Sequence, residues 1–234
     1  MDIQPLLELA TRDHAHLCPR QILGVRIGLA GMKALGFHRP PTKKQLLVIS
    51  ETDGCFVDGV SAATGCAVGH RTLRVADYGK VAATFVDTRS GDAVRVAPRI
   101  DVRQRASAFV PEEPRHYFAQ MRAYQRMPDD EMLTTQSVAL NTPIEQIMSR
   151  PGVRTQCHQC GEEIMNEREV YQDGLILCRA CAHGGYYQPA QEVHMSLVEA
   201  VLKDGDQGEV FPFGKTQPAL EPLFDHAKLI LHLR

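Results

Sequence analysis

QLLVISETDGCFVDGVSAATGC, residues 45–66, is the stretch that decides how the chain folds. QLLVIS (45–50) is a compact β-rich run, ETDG is a polar turn, and residues 56–68 form a small-residue helical stretch. The order strand, turn, helix places Cys55 just past a strand end and at a helix start, where ligands collect. Asp58, Ala62 and Cys66 then fall at i, i+4 and i+8, on one helical face.

On the N-terminal side, PLLELATR (5–12) reads as a short helix. PRQILGVRIGLAGMKALG (19–36) reads as a longer one, with Pro19 at its first position and Gly36 at its end. Ile22, Val25, Leu29 and Met32 recur at helical spacing, and Gly24, Gly28 and Gly31 open room for another backbone to approach. On the C-terminal side the pattern changes to short strands, TLRVADYG (72–79), VAATFVD (81–87) and AVRVAPRID (93–101). The turn TRSGD joins the last two into a hairpin. The expected fold class is therefore α+β: helices packed on a mainly antiparallel sheet over residues 1–110. PEEPRHYFAQMRAYQRMPDDEMLTTQSVAL (111–140) reads as helices separated by MPDD, with Asp129 or Asp130 as a cap, and 111–153 as a helical linker. A small zinc ribbon or treble-clef module is expected over 154–187. A C-terminal extension over 188–234 carries an amphipathic stretch, EVHMSLVEAVL, and an apolar one, PLFDHAKLILHL.

Of the 234 residues, 44% are hydrophobic and 23% charged, a globular mix that can bury a core. The formal net charge of −2 supplies no overall pull toward nucleic acid or anionic membrane, so a nucleic-acid role would need a local patch. No signal peptide or membrane span is expected from MDIQPLLELATRDHAHL or from any later apolar run. Seven cysteines, four of them in Cys-x-x-Cys pairs, suit metal binding in a reducing compartment, and the expected location is cytoplasmic.

Those two pairs are CHQC and CRAC: Cys157 and Cys160, then 17 residues, then Cys178 and Cys181. The spacing is that of a four-cysteine structural zinc site, in which four thiolates close a tetrahedron and leave no position for substrate. Asp173-Gly174, inside EVYQDGLILC, marks a hairpin that returns the second pair to the first. The zinc stabilises a module too small to build a sufficient core.

His14, His16 and Cys18 alternate just before the Pro19 helix start, so an extended lead-in would turn all three toward one side. Cys18 sits at the N-cap, where the helix dipole favours a thiolate and makes it either a nucleophile or a metal ligand. Neutral histidine and thiolate together suit a second transition metal such as zinc, iron, nickel or copper. If the two helix starts face each other, His14, His16, Cys18, Asp53, Cys55 and Asp58 line one pocket; Tyr78 and Lys80 in DYGK either reach it from a strand end or sit in a solvated turn. Set against this, Cys66 amid SAATGCAVG suits core packing better than ligation, and capping is the alternative role for Asp58.

Taken together, HAHLCPRQILGVRIGLAGMKALG, ETDGCFVDGVSAATGC, DYGKVAATFVD, MPDDEML, CHQCGEEI and LCRAC resemble the formylmethanofuran dehydrogenase E-subunit family over residues 12 to 183. The resemblance implies an α+β core, a C-terminal zinc module, a homodimer and a pocket that holds a metal. That pocket maps to His14, His16, Cys18, Cys55 and Asp58, and less closely to Cys66. It also implies association with molybdenum- or tungsten-dependent redox enzymes as a subunit partner. Arg20 departs from the glycine expected after Cys-Pro and adds a positive charge at the pocket mouth. The expected function is a metal-binding accessory or redox-associated protein with His14, His16, Cys18 and Cys55 as ligands and Asp58 as ligand or proton acceptor. Two alternatives stand beside it. One is an enzyme in which Cys18 is a nucleophile paired with His16 and no second metal is used. The other is a regulator whose zinc ribbon binds nucleic acid or protein, which the near-neutral charge disfavours.

Overall fold

Alternation along the first strand, β1 (Leu46–Ser50), sets the two faces of the main sheet. Leu46 and Val48 join a large core with Phe85, Val94 and Val96, while Leu47 joins a smaller one with Val86 and Ala93. The computed structural model describes residues 3–187, so both apolar stretches expected in 188–234 lie outside the described residues.

β1 runs parallel to β2 (Leu73–Val75) and antiparallel to β3 (Ala83–Asp87). The hairpin read at TRSGD joins β3 to β4 (Ala93–Pro98), and β4 pairs antiparallel with β5 (Leu133–Val138). The sheet order is β2-β1-β3-β4-β5. One pair is parallel and three are antiparallel, the mainly antiparallel sheet of the expected α+β class.

Two segments differ from the sequence reading. LTTQSV, taken as helix, is the edge strand β5; its β-branched Thr134, Thr135 and Val138 pair along the free side of β4. Only one turn of helix precedes it, α6 (Asp129–Met132), and neither Asp129 nor Asp130 caps it: the N-cap is Pro128. The Asp129 carboxylate instead accepts a hydrogen bond from Arg26, at 2.6 Å. The segment expected as a linker thus supplies a strand of the core sheet. The second difference is α4 (Val102–Phe109), a helix after the hairpin where no element was expected.

On the large-core face, α1 (Gln4–Thr11), α2 (Pro19–Ala34) and α3 (Cys55–Thr64) pack with α5 (His116–Arg126). A methyl group built on Gly24 would stand 2.2 Å from the Phe56 carbonyl oxygen, and one on Gly59 would stand 2.2 Å from that of Gln21. A methyl group on Gly28 would stand 2.7 Å from the Ala63 side chain. Residue order rises together along both helices, so α2 and α3 run parallel, with their N-termini at the same end. Arg26 fixes α5 by donating to the carbonyls of Tyr124 (2.7 Å) and Met127 (2.6 Å), which satisfies a helix C-terminus. Phe56 and Phe85 are wholly buried, each contributing about 2 kcal/mol of apolar burial. The opposite sheet face is covered by the chain after β5, including α7 (Ile144–Met148).

The last described region is built from two hairpins and a short helix. β6 (Arg154–Gln156) pairs with β7 (Glu163–Met165), β8 (Val170–Gln172) pairs with β9 (Leu175–Leu177), and α8 (Arg179–His183) follows. Asp173 and Gly174 both take positive φ, 51° and 75°, as a two-residue hairpin turn demands. Among the described residues, no helix is long and apolar enough to cross a membrane.

Candidate functional site

The parallel pairing of α2 and α3 brings two cysteines together, because Cys18 is the N-cap of α2 and Cys55 the first residue of α3. Gln21, wholly buried, locks the α2 start: its amide oxygen accepts from the Cys18 N–H at 2.8 Å, and its amide nitrogen donates to the Ala10 carbonyl at 2.9 Å. Gly54, at φ +70°, makes the bend that starts α3 in a conformation costly for a residue with a Cβ. Burial, the hydrogen bond with the Cys18 thiol and the charge of that neighbour push the Cys55 thiol above the ordinary cysteine range.

Both cysteines line a cleft of about 790 Å³, together with His16, Arg20 and Lys80. Its far wall comes from the end of β4 and from α4 and α5, with Arg95, Arg99, Arg103 and Tyr117. The volume lies in the range of small-molecule sites. Arg95 is engaged from behind by the buried Glu51, which accepts two hydrogen bonds from it at 2.5 and 2.7 Å. That bidentate bond holds the Arg95 guanidinium charged and pushes its pKa up.

The remaining residues read from the sequence divide. His14 and Asp58 face a separate, smaller cleft of about 230 Å³ that Cys66 also lines, and there His14 Nε2 lies 2.8 Å from Asp58 Oδ2. The lead-in before α2 is not extended. α1 ends at Thr11, the chain reverses with His14 N–H bonded to the Thr11 carbonyl, and residues 14–16 form bends that send His14 and His16 to different clefts. Asp53 and Tyr78 are exposed and line neither cleft. Cys66 is buried in the core, its thiol 3.6 Å from the Leu46 carbonyl and pushed up in pKa by burial. Sequence reasoning missed Arg95, Arg103 and Tyr117, which reach the cleft from strand and helix positions with no local motif, and Glu51, which holds Arg95 from the turn after β1.

The other site is in the zinc module. Cys157, Cys160, Cys178 and Cys181 present sulfur atoms that all lie within 4.8 Å of one another. Among the described residues this is the one group of three or more His, Cys, Asp or Glu side chains that converges so closely. Cys160 Sγ and Cys178 Sγ are 3.9 Å apart. A tetrahedral ion with zinc–sulfur bonds of about 2.3 Å requires sulfurs about 3.8 Å apart, so the four residues fit zinc. Backbone N–H groups point at the sulfurs, from Cys178 to Cys157 at 3.2 Å and from Cys181 to Cys178 at 3.4 Å. The N–H groups of Cys160 and Cys178 lower the Cys157 thiol to about 6. The hydrogen bond with Cys178, burial and the other neighbouring sulfurs push Cys181 up to about 12.

An α+β core followed by a closed four-cysteine finger defines a class of protein, and comparison with known proteins gives its family. A family model described as "FmdE, Molybdenum formylmethanofuran dehydrogenase operon" matches residues 14–153, more than half of the chain. The chain belongs to this FmdE family. A second model, the prokaryotic dksA/traR C4-type zinc finger, matches residues 151–187 and contains all four clustered cysteines. Among solved structures, a tungsten formylmethanofuran dehydrogenase FmdE-like protein from Syntrophus aciditrophicus shares the fold. Its TM-score is 0.52 and its sequence identity 22%, covering 79% of this chain and 94% of that one. A protein of Archaeoglobus fulgidus described as a probable S-adenosyl-L-methionine-binding protein is 38% identical over 94 residues, 39% of this chain. The chain spans 26% of the length of that relative.

Proposed function

We propose that this FmdE-family protein serves redox metabolism built on molybdenum or tungsten, and that its working site is the cleft where Cys18 and Cys55 meet. In this reading the two thiols, with His16 on the same wall, take a second, soft transition metal, while the zinc module holds structure. The observation that carries it is the parallel packing of α2 and α3, which sets two cysteines at adjacent helix starts inside a ligand-sized cleft. Paired thiolates and imidazole select soft and borderline metals. The names of the family and of the Syntrophus aciditrophicus neighbour support the metabolic setting. Assembly as a homodimer, docking to a partner redox enzyme and a cytoplasmic location belong to the same proposal.

Cobalt(II) added to zinc-loaded protein develops thiolate-to-cobalt absorption in this reading, and the Cys18→Ser, Cys55→Ser double variant does not. A wild-type protein that shows no such absorption overturns the second metal site.

One observation favours a second reading. The ligating atoms of His14, His16, Cys18 and Cys55 do not converge as those of the zinc module do. Without a metal, one sulfur of the pair acts as a nucleophile and the other, with its raised pKa, keeps a proton beside it. Rapid alkylation of Cys18 in metal-depleted protein, against slow alkylation of Cys55, is the expected result of this reading. Equal, slow rates at both would remove it.

A further inference from the structure

The cleft is electrically one-sided in a chain that is not. The protein carries 28 Asp and Glu against 26 Lys and Arg, yet Arg20, Lys80, Arg95, Arg99 and Arg103 all line this cleft, and no aspartate or glutamate does. Two of these cations are answered from behind the wall: Arg95 by Glu51, at 2.7 Å between Nη2 and Oε2, and Arg99 by Asp101, at 3.6 Å. Arg20, Lys80 and Arg103 have no carboxylate partner among the described residues, and all three are exposed. Solvated lysines and arginines are ordinary on a surface. Here, however, they gather around a concavity whose low-dielectric walls focus the field.

The rest of the wall is apolar. Leu23, Val81, Ala97, Pro98 and Val102 line it, with the rings of Tyr117 and Tyr124. The Tyr117 hydroxyl lies 3.4 Å from the Leu17 carbonyl, which ties α5 to the lead-in of α2 and closes that side. A small inorganic anion would leave most of this apolar surface unused, and a neutral apolar molecule would leave the cations unanswered.

We infer that the cleft binds an organic anion: a molecule with a carboxylate, sulfonate or phosphate group set against Lys80 and Arg103, and an apolar body laid along Leu23, Val81, Val102 and Tyr117. This rests on the cleft being the working site and names the chemical class of what enters it. It makes Lys80 and Arg103 specificity-determining residues. It also gives Arg20 a role at the cleft mouth, drawing an anion toward Cys18.

The probe is anilinonaphthalene sulfonate, an aromatic body with one sulfonate, compared by fluorescence titration with its uncharged relative N-phenylnaphthylamine on the full zinc-loaded chain. The sulfonate is expected to bind, to slow alkylation of Cys18 while bound, and to weaken by about tenfold in the Lys80→Ala, Arg103→Ala double variant. The uncharged probe is expected to change by less than about twofold in that variant. Arg89→Ala, which removes a cation on the β3–β4 turn, leaves both affinities as they are. Salt weakens the sulfonate alone in the wild type, an arm that needs no variant. Absence of sulfonate binding, an equal loss for both probes, or binding that leaves Cys18 alkylation unchanged overturns the inference. In the Cys18→Ser, Cys55→Ser variant the sulfonate still binds while cobalt does not. Loss of sulfonate binding there also overturns the inference, and the cobalt result judges the metal reading separately.

Discussion

Gly24 of α2 and Gly59 of α3 lie against each other so closely that a methyl group on either would meet a backbone oxygen at 2.2 Å. No side chain can move aside to relieve such a contact, since the obstacles are the main-chain oxygens of Phe56 and Gln21. This pair holds the two helices parallel and sets the separation of Cys18 and Cys55.

Gly59→Ala therefore forces α2 and α3 apart. The expected cost is about 1–3 kcal/mol in urea denaturation, the usual range for overpacking a filled core. The cleft feels the same shift, so metal or probe binding at Cys18 and Cys55 weakens in the fraction that remains folded. A stability within about 0.5 kcal/mol of wild type would show that the helices do not pack on these glycines.

Glu51 and Arg95 form the second support of the cleft. Glu51→Gln keeps the shape but removes the charge that Arg95 leans on, leaving a half-buried guanidinium without its partner. The expected loss is about 2–3 kcal/mol of stability, the scale of a charged hydrogen bond lost from a poorly solvated place. Recovery in a Glu51→Gln, Arg95→Met double variant would show the loss to be the unpaired charge. A single variant as stable as wild type would show that the pair is solvated.

Removing zinc unfolds the finger and spares the sheet. Its own apolar core consists of Cys157, Ile164 and Leu177, while β1, β3 and β4 lie in separate clusters. A structural zinc contributes about 10 kcal/mol to such a module. After chelation, or in Cys178→Ser, amide exchange accelerates across 154–181 and remains slow in β1 and β3. Retained protection across 154–181 in metal-free protein would contradict this.

Glu113 gives the acid limb of stability a defined shape. A hydrogen bond from the Arg115 guanidinium outweighs burial and, with further help from Arg115 and Arg122, holds its carboxyl at about 2, below the ordinary 4.5. A depressed carboxyl contributes stability that is fully present above pH 4.5 and is lost as pH falls toward about 2. The stability gap between wild type and Glu113→Gln, followed by denaturant midpoint, is constant above pH 4.5 and closes below it. Parallel curves down to pH 2 would contradict the assignment.

How much of this the sequence disclosed depends on the range of the interaction. The zinc cysteines lie in two short pairs joined by a hairpin with its own turn residues, so local spacing carried the whole site. β1, the β3–β4 hairpin and α2 were legible for the same reason, each having a period and punctuation of its own. β5 was not, because LTTQSV is a strand only where β4 offers it an edge. The cleft was half legible. Cys18, His16, Cys55 and Lys80 lie together as read, whereas His14 and Asp58 turn to a second cleft because the chain bends at 14–16. The cations from β4 and α4 come from across the fold, and no spacing in the sequence announces them.

The central claim is that Cys18 and Cys55 hold a metal distinct from the zinc of the finger. Elemental analysis of anaerobically purified wild-type protein beside its Cys18→Ser, Cys55→Ser variant tests it most directly. The account predicts about two metal equivalents per chain in the wild type and about one, as zinc, in the variant. One zinc per chain in both would contradict it.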